Sequence, residues 1–365
     1  ADGTWMYGDI DATGKVEAGD ALLALQASTG KVTLTSLQKL AADVDSSGKV
    51  TAEDALLILQ HATRKIKSFP AENREDDQLD LTKYIDTSLG VNTDTHTVIG
   101  PQRPNASVNP SPDGPGYAAN GYTGGDIRGF SQMHVSGTGV PKYGQVLLSP
   151  QVGLSTRLDG HDSSKSNEQA GCSEYSVTLD KWDIDCAFTC TENASIYKFR
   201  YPQSDEASLL IDMAHNNGEN NNRGHHTGLY NASSDIQIQV GTDEKDQTVL
   251  FGSGYYEGGW GQPHEVYFYA VTSKKPRETG IYDAAGTHPG ENKAGPASIT
   301  SEEQRLAGLG AYLLFDTQPD EEISVKVGMS FKSVDQAKSY LDNEIPAWDY
   351  ESVKETTDRM WNDEL

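Results

Sequence analysis

Asp9-Ile-Asp-Ala-Thr-Gly-Lys-Val-Glu-Ala-Gly-Asp20 returns as Asp43-Val-Asp-Ser-Ser-Gly-Lys-Val-Thr-Ala-Glu-Asp54, 34 residues further along the chain. The repeat continues through Ala21-Leu22-Leu23 and Gln26 onto Ala55-Leu56-Leu57 and Gln60. Each twelve-residue loop offers oxygen at positions 1, 3, 5, 7, 9 and 12 and a glycine at position 6, the spacing with which a loop wraps a hard, oxygen-seeking calcium ion. In the first loop the ligands are Asp9, Asp11, Thr13, the Lys15 carbonyl, Glu17 and Asp20; in the second they are Asp43, Asp45, Ser47, the Lys49 carbonyl, Thr51 and Asp54. Two calcium ions are therefore expected. Hydroxyls at position 5 lower the charge of both sites.

Leu22, Leu23 and Leu25 after the first loop, and Leu56, Leu57 and Leu59 after the second, form an apolar stripe that predicts one helix per repeat, with a short helix over Leu34 to Leu40 between them. Metal binding supplies folding energy to so small a unit. An ordinary EF-hand closes its loop on Glu and carries a helix before it. Here Asp closes both loops, and only a short glycine-containing stretch precedes the first. That departure resembles a type I dockerin, an all-α, EF-hand-like module. The resemblance implies a cohesin on a scaffold protein as partner, met by Ala18, Gly19, Leu22 and Leu23 of one repeat and Ala52, Glu53, Leu56 and Leu57 of the other. The recognition pairs Ala18-Gly19 and Ala52-Glu53 differ from the Ser-Thr pair of well-known clostridial dockerins, which implies a different cohesin type. The competing reading is a calcium-stabilised spacer with no partner.

The chain divides into residues 1–66 as the calcium module, 67–80 as a charge-mixed linker, 81–331 as a β domain and 332–365 as helices. With 36% hydrophobic residues, 36 glycines and 17 tyrosines, the composition suits a loop-rich antiparallel β protein. Short alternating runs such as Tyr175 to Leu179, Ser195 to Tyr201, Ile236 to Val240, Val266 to Val271 and Ile323 to Val327 predict a large antiparallel sandwich. A net charge of −25 opposes nucleic-acid binding, which depends on clustered Lys and Arg. No apolar stretch of about 20 residues predicts a membrane span.

Within the β region, Gly121-Tyr-Thr-Gly-Gly-Asp-Ile-Arg-Gly-Phe-Ser-Gln-Met-His-Val-Ser-Gly-Thr-Gly139 is similar to the Gly-Phe-Ser-His-x-His-Leu-Ser-Gly-Thr-Gly signature of glycoside hydrolase family 92, the exo-acting α-mannosidases. Tyr175 to Leu179, Tyr197 to Pro202, Val266 to Ala270 and Lys326 to Phe331 follow in the family's order, and Ser333 to Asp349 with Trp361 resembles its helical bridge. The resemblance implies a galactose-mutarotase-like supersandwich that supports the active site of a secreted, extracellular, scaffold-borne enzyme acting on a mannose-containing glycan. Gln132 stands where the family has its first signature histidine, and Asn109 to Pro112 follows the family only loosely, which implies a divergent subgroup.

Family 92 enzymes resemble calcium-dependent inverting glycosidases, whose acid and base carboxyls stand about 6.5–9.5 Å apart. The family takes both, and its active-site calcium, from an (α/α)6 barrel after the sandwich. The expectation is therefore no catalytic residue within these 365 residues and a further calcium only in the full-length enzyme. The closing Asn362-Asp-Glu-Leu365 looks like a retrieval tag but ends a helix-patterned segment, so the chain reads as an excised piece. Sugar contacts are expected from Tyr122 as a stacking platform and from Asp126, His134 and Ser136 through hydrogen bonds, against a structural role for His134. A different class of function is a dockerin-borne carbohydrate-binding module, with Trp260, Tyr255 and Tyr256 as its aromatics.

Four weaker signals complete the sequence. His215 to Glu219 with His225 and His226 offers zinc-type ligands, yet without fixed spacing it reads as a solvated loop. Glu168, Glu174 and Glu192 read as surface carboxylates. Cys172, Cys186 and Cys190 read as free thiols, because on one strand Cys186 and Cys190 would lie about 13 Å apart. The Asn-Ala-Ser sequons at Asn105, Asn193 and Asn231 matter only in a eukaryotic secretory route.

Overall fold

The computed structural model describes residues 6–73, 80–91, 97–115, 120–136, 143–217, 233–257 and 262–365. It divides into two compact units, Ala1–Leu81 with Asn362–Leu365, and Thr82–Trp361.

In the first unit, α1 (Ala18–Ser28), α2 (Ser36–Ala42) and α3 (Ala52–Ala62) follow the loops as their caps dictate. Thr51 at the N-cap of α3 accepts a hydrogen bond from the Glu53 amide, and Asp54 accepts one from the Thr51 amide at 2.8 Å. The core is built from Ala21, Ala24, Leu34, Ala55 and Ile58, all buried. The leucine stripe differs from expectation: Leu22, Leu25, Leu56 and Leu59 are 55%, 43%, 54% and 42% exposed, and only Leu23 and Leu57 pack against the core. Small alanines let α1 and α3 approach closely, which leaves the leucines outside. The linker expectation also needs correction. Phe69 is fully buried in this core, its ring stacked on His61 with centroids 4.6 Å apart, and a 3-10 turn, Pro70–Asn73, follows it.

Among the described residues, sixteen strands build the second unit. They are β1 Ser111–Asp113, β2 Gly129–Ser131, β3 Leu147–Val152, β4 Lys165–Ala170, β5 Tyr175–Leu179, β6 Ile184–Cys190, β7 Ala194–Tyr201 and β8 Ser204–Asp212. The rest are β9 Ser233–Thr242, β10 Thr248–Tyr256, β11 His264–Thr272, β12 Glu278–Asp283, β13 Gly286–Pro289, β14 Lys293–Ile299, β15 Gly310–Thr317 and β16 Glu321–Ser330. Seven form one sheet in the order β1-β2-β3-β8-β15-β12-β13, and nine form the other in the order β14-β9-β10-β11-β16-β7-β6-β5-β4. Neighbouring strands run antiparallel, as the alternating runs predict.

Along β5 the side chains of Tyr175, Val177 and Leu179 are buried, while Ser176 and Thr178 face outward, the period-two pattern of a half-covered sheet. Phe130 of the smaller sheet meets Phe188 of the larger with ring centroids 5.2 Å apart, and Phe188 packs on Tyr175 and Tyr197 at 5.1 and 5.0 Å. These aromatics join the two layers.

The short α4 (Glu302–Ala307) precedes β15; beyond β16, α5 (Val334–Glu344) and α6 (Tyr350–Glu364) are not free linkers. Ala337, Leu341 and Ile345 bury against Ile196 and Val271 on the outer face of the nine-stranded sheet. Glu344 ties down the turn between β6 and β7 by accepting hydrogen bonds from Thr191 Oγ1 at 2.6 Å and the Asn193 amide at 2.9 Å. Among the described residues, no helix is long and apolar enough to cross a membrane.

Candidate functional site

The first candidate is the pair of acidic loops. Asp9, Asp11 and Asp20 each bring a carboxylate oxygen within 4.8 Å of the others, and Asp43, Asp45 and Asp54 do the same. Backbone amides set this geometry. Asp9 accepts from the Thr13 and Gly14 amides at 3.0 and 2.7 Å, and Asp43 accepts from the Ser47 and Gly48 amides at 2.9 Å each. Gly14 and Gly48 both take φ +81°, a left-handed backbone that glycine adopts without strain. Asp20 and Asp54 are fully buried and accept from amides at both ends of their loops, Asp20 from Ile10 at 2.8 Å and Glu17 at 2.8 Å.

At positions 5 and 7 the paired oxygens meet: Thr13 Oγ1 lies 3.4 Å from the Lys15 carbonyl and Ser47 Oγ 3.1 Å from the Lys49 carbonyl. Burial pushes the Asp20 and Asp54 carboxyls above their ordinary range. Burial and the neighbouring Asp45 carry Asp43 to about 6. Three converging carboxylates, with hydroxyl and carbonyl oxygens beside them, are a donor set of hard oxygens that fits calcium. Exposed Glu17 and half-buried Thr51 stand at position 9 of their loops. The residues expected to meet a partner fall on one pattern: Ala18, Gly19, Leu22, Ala52, Glu53 and Leu56 are exposed, while Leu23 and Leu57 are half-buried. Leu25 and Leu59 share the exposed face, which the spacing of the stripe concealed.

The second candidate lies in the sandwich around the glycine-rich segment. β1 pairs with β2 so that Asp113 faces Gly129 and Ser111 faces Ser131. This edge delivers Asp113 to His134, with Nε2 and Oδ1 3.0 Å apart and both side chains inaccessible. His134 Nδ1 lies 3.0 Å from the Asn109 carbonyl, and its amide donates to the Asn109 side chain. Burial raises the Asp113 carboxyl, but His134, His215 and Ser131 together outweigh burial and hold it below the ordinary carboxylate range. His134 is thus a structural histidine with both ring nitrogens engaged. Gly121 closes the cluster at φ +88°: a Cβ there would lie 2.0 Å from Asp113 Oδ1. Asp113 Oδ2 and Asn217 Nδ2 are buried with no hydrogen-bond partner among the described residues.

The other expected sugar contacts scatter. Tyr122 is only 1% exposed and donates to Glu168 at 2.6 Å, so its ring offers no open stacking face. Asp126 is exposed, and so is Ser136, whose hydroxyl accepts from the Val98 amide at 3.3 Å. Nor is Glu168 an idle surface group. It also accepts from Tyr175 at 2.7 Å and pairs with Lys165, and these partners hold its carboxyl below the ordinary range against the opposing effect of burial.

Glu174 likewise accepts from Tyr350 at 2.9 Å and Lys354 at 2.7 Å. Gln132 is fully buried and accepts from Ser195 of the opposite sheet at 2.6 Å. His215 is not in a solvated loop: it is buried, its Nδ1 lies 2.6 Å from the Gly144 carbonyl, and burial lowers its pKa. Glu219, His225, His226, Asn231 and Trp260 lie outside the described residues. Cys172, Cys186 and Cys190 are buried thiols that form no disulfide.

Comparison with known proteins adds the following. The glycosyl hydrolase family 92 N-terminal domain matches residues 84–330, and the dockerin type I domain matches residues 7–61. A protein of Arthroderma benhamiae named as an uncharacterized secreted glycosidase is 26% identical over 313 residues, covering 78% of this chain and 38% of its own length. A family GH92 α-mannosidase from Bacteroides thetaiotaomicron superposes with a TM-score of 0.64 at 24% identity, over 78% of this chain and 38% of that one. A second structure from that organism, a family GH92 inverting mannosidase, gives 0.63 at 19% identity, over 79% of this chain and 36% of that one. These structural likenesses establish the sandwich fold. The chain spans less than two fifths of the length of each of these relatives.

Proposed function

Since the chain belongs to the family of the glycosyl hydrolase family 92 N-terminal domain, we propose that it is the scaffold-docking and supporting portion of a secreted, extracellular α-mannosidase. In this reading the helical unit binds two calcium ions and plugs into a cohesin through the face of Ala18, Gly19, Leu22, Ala52, Glu53 and Leu56. The β-sandwich supports an active site for a mannose-containing glycan. Asp126 and Ser136 remain its exposed candidates for sugar contact. No catalytic residue is assigned within residues 84–330, and the calcium of the active site belongs to the full-length enzyme.

The observation that carries the docking half is the duplication in space as well as in sequence. Two three-carboxylate clusters, each within 4.8 Å, lie in loops that lead into two helices bearing the same exposed leucines. Exposed apolar side chains in register on a small soluble unit mark a surface built to be covered. Capture of the purified chain on immobilised cohesins of several types, with and without a chelator, tests it. Calcium-dependent capture that is lost in the Leu22→Asp, Leu56→Asp double variant supports the proposal. Calcium-loaded chain that binds none of the cohesins overturns the docking half.

A further inference from the structure

Helix α5 and the start of α6 cover part of the outer face of the nine-stranded sheet, with Ala337, Leu341, Tyr350 and Val353 buried against it. Beside Tyr350 and Glu351 lies an open groove of about 390 Å³, whose lining also includes Ser176, Thr178, Asp185, Lys198, Arg200 and Glu322. Strand register makes its floor a polar ladder: Ser166 faces Thr178, Thr178 faces Asp185, Asp185 faces Arg200, and Arg200 faces Glu322. From β4 to β16 the ladder crosses four interstrand steps of about 4.8 Å, roughly 19 Å in all. Asp185 and Arg200 also line a second depression of about 220 Å³ beside Tyr201, Pro202 and Asp320. The two hollows thus share these two side chains.

Most of the groove's edge is already fixed. Thr178 donates to Asp185 at 2.7 Å and accepts from Asn167 at 3.2 Å. Lys198 pairs with Glu351 at 3.1 Å and covers the Tyr350 ring at 4.2 Å. Arg200 is different. It is exposed between two carboxylates of neighbouring strands, yet it makes no hydrogen bond or ion pair among the described residues. Its planar fork of donors stands ready for a ligand's oxygens.

We propose that this groove binds a neutral oligosaccharide, lying across β5, β6, β7 and β16, at a site separate from the glycine-rich segment. Charge selects the class of ligand. Glu174, Asp185, Glu322 and Glu351 outnumber Lys198 and Arg200 along the groove, which disfavours an anionic chain. Alternating carboxylates and a free guanidinium match the hydroxyls of a sugar, which donate and accept at neighbouring positions. With the Tyr350 face occupied by Lys198, recognition rests on hydrogen bonds. The inference stands on the lining of the groove and does not depend on the calcium or cohesin reading.

Titration calorimetry of the full 365-residue protein with mannotetraose, cellotetraose and, as an anionic control, tetragalacturonate tests it. At least one neutral tetrasaccharide binds and the anionic one binds more weakly. Arg200→Ala and the Asp185→Asn, Glu322→Gln double variant each weaken binding at least about tenfold, with thermal unfolding unchanged. Absence of binding to both neutral sugars, binding unaffected by either groove variant, or preference for the anionic chain overturns the proposal.

Discussion

His134 and Asp113 face one another at 3.0 Å with both side chains fully inaccessible, across the edge that joins β1 to the segment after β2. The pair ties the glycine-rich segment to the sandwich, so its partners are interdependent. A buried charge-assisted pair contributes little relative to an apolar pair of equal volume, but breaking one side leaves the other group uncompensated.

His134→Ala is expected to lower the stability of the sandwich by about 3–5 kcal/mol, and Asp113→Asn with His134→Gln by less than His134→Ala alone. Urea denaturation followed by tryptophan fluorescence measures both. A His134→Ala variant as stable as the parent would contradict the structural role assigned to this histidine.

Calcium removal is expected to act on one unit. Because the two three-carboxylate clusters lie in the loops that set α1 and α3, chelation should unfold the helical unit and leave the β signal of the sandwich intact. Asp20→Ala and Asp54→Ala should each reduce the calcium bound from about two equivalents to about one, as read by calorimetry. Cooperative melting of the whole chain on chelation would refute the separation.

Asp212 gives a pH dependence of defined sign. It is completely buried, and burial lifts its carboxyl from an ordinary value of 3.8 to about 6. A raised folded-state pKa means that ionisation opposes folding. The penalty is absent below the unfolded value of 3.8, grows as pH rises from there to about 6, and is complete above about 6. Asp212→Asn keeps the acceptor for the Ala214 amide, bonded at 2.7 Å, and should stabilise the sandwich by up to about 3 kcal/mol at pH 7.5. The gain should vanish near pH 4. Thermal melts across that range decide it, and a variant whose advantage grows on acidification would show the sign to be wrong.

The three thiols should be inert in the folded protein. All are buried, and burial pushes Cys190 up to about 12, so little thiolate exists near neutrality. A thiol reagent should label none in the native state and three in denaturant. Rapid native labelling would show that the strands enclosing these thiols open in the native state.

Parts of this molecule are legible residue by residue. The ligand positions of the loops follow from sequence alone because a twelve-residue loop closes locally: Asp9 and Asp43 are gathered by amides only four and five residues away. The β5 strand was equally plain, since alternation records which face is covered. The leucine stripes were harder, because helical spacing shows that Leu22, Leu25, Leu56 and Leu59 share a face but not whether that face is core or surface. Close packing at Ala21, Ala24, Ala55 and Ile58 settled it.

Phe69 escaped for a related reason. One aromatic in a charged stretch carries no period, and only the hollow against Gly8 and His61 gives it a place.

By itself, then, the sequence determined what is local: two calcium loops, their helices, and strands that alternate. The tertiary structure decided what is long-range. It closed Tyr122 onto Glu168, 46 residues away, and Gln132 onto Ser195, 63 residues away. It set Asp113 against His134, 21 residues away, and left the Arg200 side chain without a partner among the described residues, between two carboxylates of neighbouring strands. A chain records the repeat of its own backbone. It does not record which strand will lie beside which, and in an antiparallel sandwich that pairing alone chooses whether a polar side chain is satisfied, buried or free.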